Sequence, residues 1–215
     1  MNPLSVLRRL RNGFIAPDRR EPIIVVAGLP RSGTSLMMQM LEAGGIEIAT
    51  DGVRTADADN PRGYYELERV KSLDRDASWL GEHKDKAVKI ISMLLVALPP
   101  HHDYRIIFME REIPEILASQ KVMLARRGTP DPGERDEELA ASYERHLVSV
   151  KQTLANRPEA RTLYVSYREI LQYPRRVAAQ ICRFLQKDLD IEGMLRTVDP
   201  RLHRQKGPAA QADRC

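Results

Sequence analysis

In the stretch PIIVVAGLPRSGTSL, residues 22–36, Gly28 and Gly33 stand five apart, between an apolar run and the hydroxyl pair Thr34 and Ser35. The spacing matches the glycine frame of the phosphate-binding pattern G-x-x-x-x-G-K-[ST], but Thr34 occupies the lysine position. A glycine-bounded turn that feeds a helix aims several backbone N–H groups into one concavity, and the helix dipole adds positive potential there. Phosphate-like groups bind such a nest without help from side chains. Arg31 can supply a cation from inside the loop, and Thr34 and Ser35 can donate hydroxyls. The plain alternative is a strand-to-helix turn with a Ser/Thr cap.

The elements that must hold this loop follow from periodicity. Ile23 to Ala27 is apolar throughout, as in a central parallel strand. Thr34 to Ala43 follows as a helix stopped by Gly44 and Gly45. Ile46 to Ala49 suits a short strand, 50–63 a polar loop, and Tyr65 to Leu80 a helix. Further strands are expected at Ala87 to Ile91, Tyr104 to Met109 and Arg161 to Ser166. Between them lie a short apolar segment, Met93 to Leu98, a helix over Ile113 to Arg126, and a breaker-rich loop from Gly128 to Gly133. A long amphipathic helix at 136–156 carries Leu139, Tyr143, Leu147, Val150 and Leu154 on one face. Two last helices cover 174–186 and 190–197. Apolar strands separated by helices imply a three-layer α/β fold, a central parallel sheet flanked by helices. Ligands then bind at the carboxyl ends of the strands, which sets the glycine loop and Glu110 to Ile113 on one rim.

Composition narrows the function classes. The chain has 215 residues, 42% hydrophobic and 30% charged, which suits a single soluble domain. No apolar run reaches the roughly 18 to 20 residues of a membrane span. Residues 1–20 are expected to form a basic helical extension without a signal peptide, and 198–215 a basic, partly flexible tail. The two cysteines, Cys182 and Cys215, make neither a disulfide framework nor a metal site and suit a reducing cytoplasm. The net charge of +4 is dispersed, with no aromatic-interleaved basic stripe for nucleic acid.

GLPRSGTSLM resembles the 5′-phosphosulfate-binding loop of sulfotransferases that use 3′-phosphoadenylyl sulfate (PAPS). These enzymes have a P-loop NTPase-like fold and carry [KR]-S-G-T-[ST] in this loop. The resemblance gives Pro30, Arg31, Ser32, Gly33, Thr34 and Ser35 to the donor's phosphosulfate. RIIFMEREIPEILASQ resembles the family's 3′-phosphate stretch, in which an Arg at a strand end is followed eight residues later by a helix Ser, here Arg111 and Ser119. An Arg there can fork onto a phosphate and a serine hydroxyl can add a bond; Arg111 could instead pair with Glu112 or Glu115. LYVSYREILQYPRRVAAQICRFL resembles the family's strand, tyrosine and helix, so Tyr167 falls where a tyrosine touches adenine. RQKGPAA partly resembles the segment that closes over the 3′-phosphate and brings Lys206. It departs from R-K-G-x-x-G by Gln205 and by lacking the second glycine.

The resemblance implies sulfuryl transfer from PAPS to an acceptor hydroxyl or amine, without a metal, leaving adenosine 3′,5′-bisphosphate. Positioning and charge stabilisation would carry the rate, with Arg31 on the leaving phosphate and Lys89, in AVKII, as a second cation. The acceptor proton needs a base. The family's K-x-H histidine is missing, because the sequence reads Lys89-Ile90-Ile91. Glu66, in DNPRGYYE, is the candidate, with Glu68 and Asp59 as rivals; His83, His101 and His102 are expected to be exposed. The acceptor side is expected at 50–85 and 127–145, where a sugar, a lipid headgroup or a small phenol would all fit. The competing readings are a P-loop nucleotide kinase or NTPase, and a noncatalytic nucleotide-binding relative.

Overall fold

A computed structural model of the chain describes residues 21–53, 63–129 and 135–199. Five parallel strands form one sheet in the order β2-β3-β1-β4-β5: β1 Ile23–Gly28, β2 Ile48–Ala49, β3 Ala87–Ile91, β4 Tyr104–Glu110 and β5 Ala160–Ser166. β1 lies at the centre, and every one of its residues is buried, as its unbroken apolar run requires. In register, Gly28 stands beside Ile91 of β3 and Met109 of β4. The carboxyl ends of the three central strands therefore meet at one rim.

Helices cover both faces. α1 (Thr34–Ala43), α5 (Pro174–Leu185) and α6 (Ile191–Thr197) pack one face around Ile24, Val26, Met37, Met40, Ile181 and Met194. On the other, α3 (Asp136–Ala155) sets Val150 and Leu154 against Ile23, Val25, Ile106 and Phe108. Its apolar face is the one expected: Tyr143, Val150 and Leu154 are buried, and Leu139 and Leu147 pack partly buried beside them. α2 (Ile113–Arg126) joins α3 through Ile116, Leu117 and Tyr143, a small cluster that also holds Leu29 of the glycine loop. The architecture is the three-layer α/β fold expected.

The expected elements need one correction and one addition. Tyr65 to Leu80 is not a helix. Residues 63–67 form neither helix nor strand, and two 3-10 turns follow at Glu68–Ser72 and Ser78–His83. Asp76 breaks the run: its carboxylate accepts from the backbone N–H and hydroxyl of Ser78, and its carbonyl accepts from the Trp79 indole. Such local bonds compete with helix formation. The short helix α4 (Tyr167–Gln172) went unread, although Ser166 accepts from the N–H of Glu169, an S-x-x-E start signal. Met93 to Leu98 belongs to a further 3-10 turn, Ser92–Ala97. Residues 1–20, Asp59, Lys206 and nearly all of the tail lie outside the described residues.

His83 and His102 are also less exposed than expected. His102 lies against Gly81, and His83 meets Trp79 edge to face. Both flank the amino ends of β3 and β4, far from the glycine-loop rim. Burial lowers the pKa of each, and also that of His146 on α3. A histidine lowered in the folded state contributes stability that is complete above the ordinary value near 6.5 and is lost as pH falls below it. Urea unfolding should therefore show a lower midpoint at pH 5.5 than at pH 7.5. Replacing His83 and His102 with Gln should flatten that difference; an unchanged slope would show that other groups govern it.

Candidate functional site

The glycine loop is built by what its residues lack. Gly28 has φ +153°, and a Cβ there would lie 2.5 Å from the Ser32 hydroxyl and 2.7 Å from the Met109 carbonyl. Gly33 caps α1 at φ +102° with no side-chain cap bond. The first N–H groups of α1 therefore face the loop's concavity, where the dipole favours an anion. Arg31 holds a left-handed backbone, φ 70°, rare for a residue with a side chain. The Ser32 N–H closes the turn onto Leu29 at 3.1 Å. The Ser32 hydroxyl is buried with no protein partner, and Thr34 is buried too. Pro30 is exposed, and Arg31 and Ser35 are half-buried.

Arg111 and Ser119 come to the same place from β4 and α2. The Arg31 guanidinium donates to the Ser119 hydroxyl at 3.0 Å, and Arg111 donates to the Arg31 carbonyl at 3.1 Å. The Glu115 pairing weighed from sequence is present: Arg111 Nε lies 2.9 Å from its carboxylate, with side chains only 7% and 11% exposed. Arg111 also stacks over the Tyr167 ring, 4.6 Å from its centroid. Tyr167 itself is 7% exposed and lies beneath Gly33, so it acts here as a floor that fixes the loop and the guanidinium. Burial pushes its phenol pKa up, which keeps the ring neutral at physiological pH.

A cleft of about 260 Å³ opens beside these residues, lined by Leu29, Ser32, Met109, Arg111, Glu115, Ile116, Ser166 and Arg168 among others. Glu110 and Glu112 line it as well. Lys151 pairs with Glu110 at 2.5 Å, as Arg111 pairs with Glu115, so two of the three carboxylates are neutralised. Arg168 was missed in the sequence because α4 was missed. The Ser166-x-x-Glu169 signal would have placed it on the first turn of a helix beside Tyr167.

The catalytic candidates converge on the other side of the loop. Lys89 points from β3 toward α1 and donates to the Ser35 hydroxyl at 3.1 Å and to the Tyr64 carbonyl at 2.8 Å. Its ammonium lies 3.9 Å from the Glu66 carboxylate. Glu66 is held by its own backbone: its carbonyl accepts from the Thr50 hydroxyl and the Asp51 N–H. Tyr65, beside it, takes a left-handed φ of 53° and donates its hydroxyl to Glu42. Glu66 thus stands on an irregular segment beside β3, and its side chain is 33% exposed. Its rival Glu68 is turned to Lys71 instead. His83, His101 and His102 lie at or near the opposite, amino edge of the sheet.

Comparisons with known proteins bear on the family and the fold. A family profile described as "Sulfotransferase family" matches residues 57–190. No curated protein matches the chain. Among solved structures, the sulfotransferase domain of the Synechococcus PCC 7002 olefin synthase is 19% identical, with a TM-score of 0.51; the match covers 93% of this chain and 86% of that one. The sulfotransferase STF1 of Mycobacterium tuberculosis H37Rv is 16% identical, with a TM-score of 0.57, covering 91% of this chain and 74% of that one. A mouse sulfotransferase, SULT7A1, solved in complex with PAP, is 15% identical, with a TM-score of 0.50, covering 86% of this chain and 65% of that one. At these identities the likeness establishes the fold.

The Gly33–Tyr167 contact can be isolated from backbone strain. A Cβ on Gly33 would sit 2.5 Å from the Tyr167 ring, whereas one on Gly45, at a similar φ of +95°, meets nothing within 4 Å. Gly33→Ala should cost about 1–3 kcal/mol more than Gly45→Ala in urea unfolding, and adding Tyr167→Ala should return part of the difference. Equal costs for the two glycines would show that the ring does not constrain the loop.

Proposed function

The chain belongs to the sulfotransferase family and transfers a sulfuryl group, and on that premise we propose that its donor is PAPS, bound across the rim between the glycine loop and α2. The 5′-phosphosulfate lies in the cradle formed by Pro30, Arg31, Ser32, Gly33, Thr34 and Ser35. The orphaned Ser32 hydroxyl supports this, since a buried hydroxyl without a partner is costly unless a ligand completes it. The 3′-phosphate lies by Arg111 and Ser119, with Tyr167 beneath and Lys206 of the tail as a further contact. The reading takes 1–215 as one domain, needs no metal, and places the enzyme in the cytoplasm, consistent with the free thiol of Cys182. Among the described residues, no helix is long and apolar enough to cross a membrane.

The observation that carries the reading is the meeting of Glu66, Lys89 and Ser35 at the start of α1. Glu66 accepts the proton of the acceptor hydroxyl. The acceptor oxygen bonds to sulfur as the bond from sulfur to the donor's phosphate oxygen breaks, and adenosine 3′,5′-bisphosphate leaves. Lys89 and Arg31 hold the charge that develops between these oxygens, an electrostatic role with little covalent demand. Thr34, where a nucleotide kinase carries its lysine, leaves the kinase reading without its cation.

Adenosine 3′,5′-bisphosphate should raise the melting temperature, while ATP with Mg²⁺ should not. Stabilisation by ATP alone would remove Arg111 and Ser119 from the donor site. In the same protein Glu66→Gln should lower kcat by about 100-fold or more while bisphosphate affinity stays within twofold. Normal turnover by that variant would mean that Glu66 is not the base. A parent that binds the bisphosphate but transfers to no acceptor would be a noncatalytic relative.

A further inference from the structure

The cleft beside the glycine loop is walled by three carboxylates, Glu110, Glu112 and Glu115, and by two guanidiniums, Arg111 and Arg168. Most of this charge is already matched. Lys151 lies 2.5 Å from Glu110, and Arg111 lies 2.9 Å from Glu115. Arg111 is engaged further, since it donates to the Arg31 carbonyl and its face lies on the Tyr167 ring. Its side chain is 7% exposed and cannot turn without breaking these contacts. Arg168 differs on each count. It is exposed, and among the described residues no carboxylate or hydrogen-bond acceptor engages its side chain.

The backbone sets the two guanidiniums on neighbouring walls. Ser166, the last residue of β5, stands in register with Glu110, the last of β4. Arg111 follows directly after β4, and Arg168 follows two residues after Ser166, in α4. A phosphomonoester carries about 1.5 to 2 negative charges near neutral pH. Against Arg111 alone it would share its cation with Glu115. It would also face Glu112, whose carboxylate has no ion-pair partner among the described residues. A second, uncommitted guanidinium offsets that charge, and the planar fork of arginine suits phosphate oxygens. Arg168 carries such a fork at the wall of the same cleft.

We propose that Arg168 is a second guanidinium for the donor's 3′-phosphate, closing on it from α4 while Arg111 and Ser119 hold it from β4 and α2. The proposal rests on the PAPS reading and adds a binding residue to it. The two arginines divide the task. Arg111, fixed by Glu115 and Tyr167, shapes the subsite before the donor arrives. Arg168 supplies the charge that answers the phosphate once it is there. It thereby separates nucleotides that carry a 3′-phosphate from those that end in a 3′-hydroxyl.

The test is calorimetric titration of the full chain with two probes, adenosine 3′,5′-bisphosphate and adenosine 5′-monophosphate. Arg168→Gln should weaken the bisphosphate by about 10- to 100-fold, the span of a charge-assisted hydrogen bond. It should leave the monophosphate within twofold, which also shows that the variant is folded. Arg161→Gln is the control for net charge, since Arg161 is exposed near the amino end of β5, beside Arg105; it should move neither affinity by more than twofold. Unchanged bisphosphate affinity in Arg168→Gln overturns the proposal. So does an equal loss of both nucleotides, or a loss that Arg161→Gln reproduces. In each of these cases the donor reading stands, because the parent protein still prefers the bisphosphate. If the parent does not bind the bisphosphate, the donor reading fails and the role of Arg168 falls with it.

Discussion

The Arg111 guanidinium is the joint on which the rim depends. One edge is fixed by Glu115, another by the carbonyl of Arg31, and its face lies on Tyr167. A nearly buried cation is tolerable only when paired and hydrogen-bonded, and each partner comes from a different element: α2, the glycine loop and α4. The same contacts explain why Gly33 cannot carry a side chain, since the ring that supports Arg111 fills the space beside it. Loop, strand end and helix start thus constrain one another, and the left-handed backbone of Arg31 is the conformation that turns its carbonyl toward Arg111.

A second grouping is assembled independently. Lys89 reaches across the sheet face from β3 to Ser35, and the irregular segment 63–67 brings Glu66 to its ammonium. The sheet order puts β3 and β4 on opposite sides of β1, so the two cation sites flank the cradle rather than crowd it. A donor with charge at both ends, as proposed, fits that separation.

Much of this was legible in the chain because it rests on local signals. The unbroken apolar run of β1 and the apolar stretch Ile106 to Met109 of β4 declare buried parallel strands, and Gly28 and Gly33 mark positions a side chain cannot occupy. The face of α3 follows from a 3.6-residue period. The Arg111–Glu115 pairing could be weighed because the two residues are only four apart in the chain. What escaped depends on contacts distant in sequence or on bonds that periodicity ignores. The region from Tyr65 to Leu80 has helical spacing of its apolar residues, but Asp76 captures the backbone of Ser78 and breaks it into turns. Tyr167 lies beneath Gly33, 134 residues away in sequence, a contact that no local pattern announces. His83 and His102 sit in polar stretches and look exposed, until Trp79 and Gly81 close over them. Arg168 enters the cleft only through α4, whose six residues are too few to announce a period.

The central place of β1 also governs how the molecule comes together. Its two neighbours, β3 and β4, begin at Ala87 and Tyr104, some sixty and eighty residues farther along the chain. No part of the rim can form from a hairpin, because every pairing of this sheet is parallel and non-local. Such topologies close large loops before any contact rewards them, and they fold slowly for their size. The cradle, though encoded in a dozen consecutive residues, acquires its walls only when both late strands have docked. A nascent chain that reaches only to residue 100 holds the glycine loop without its β4 wall.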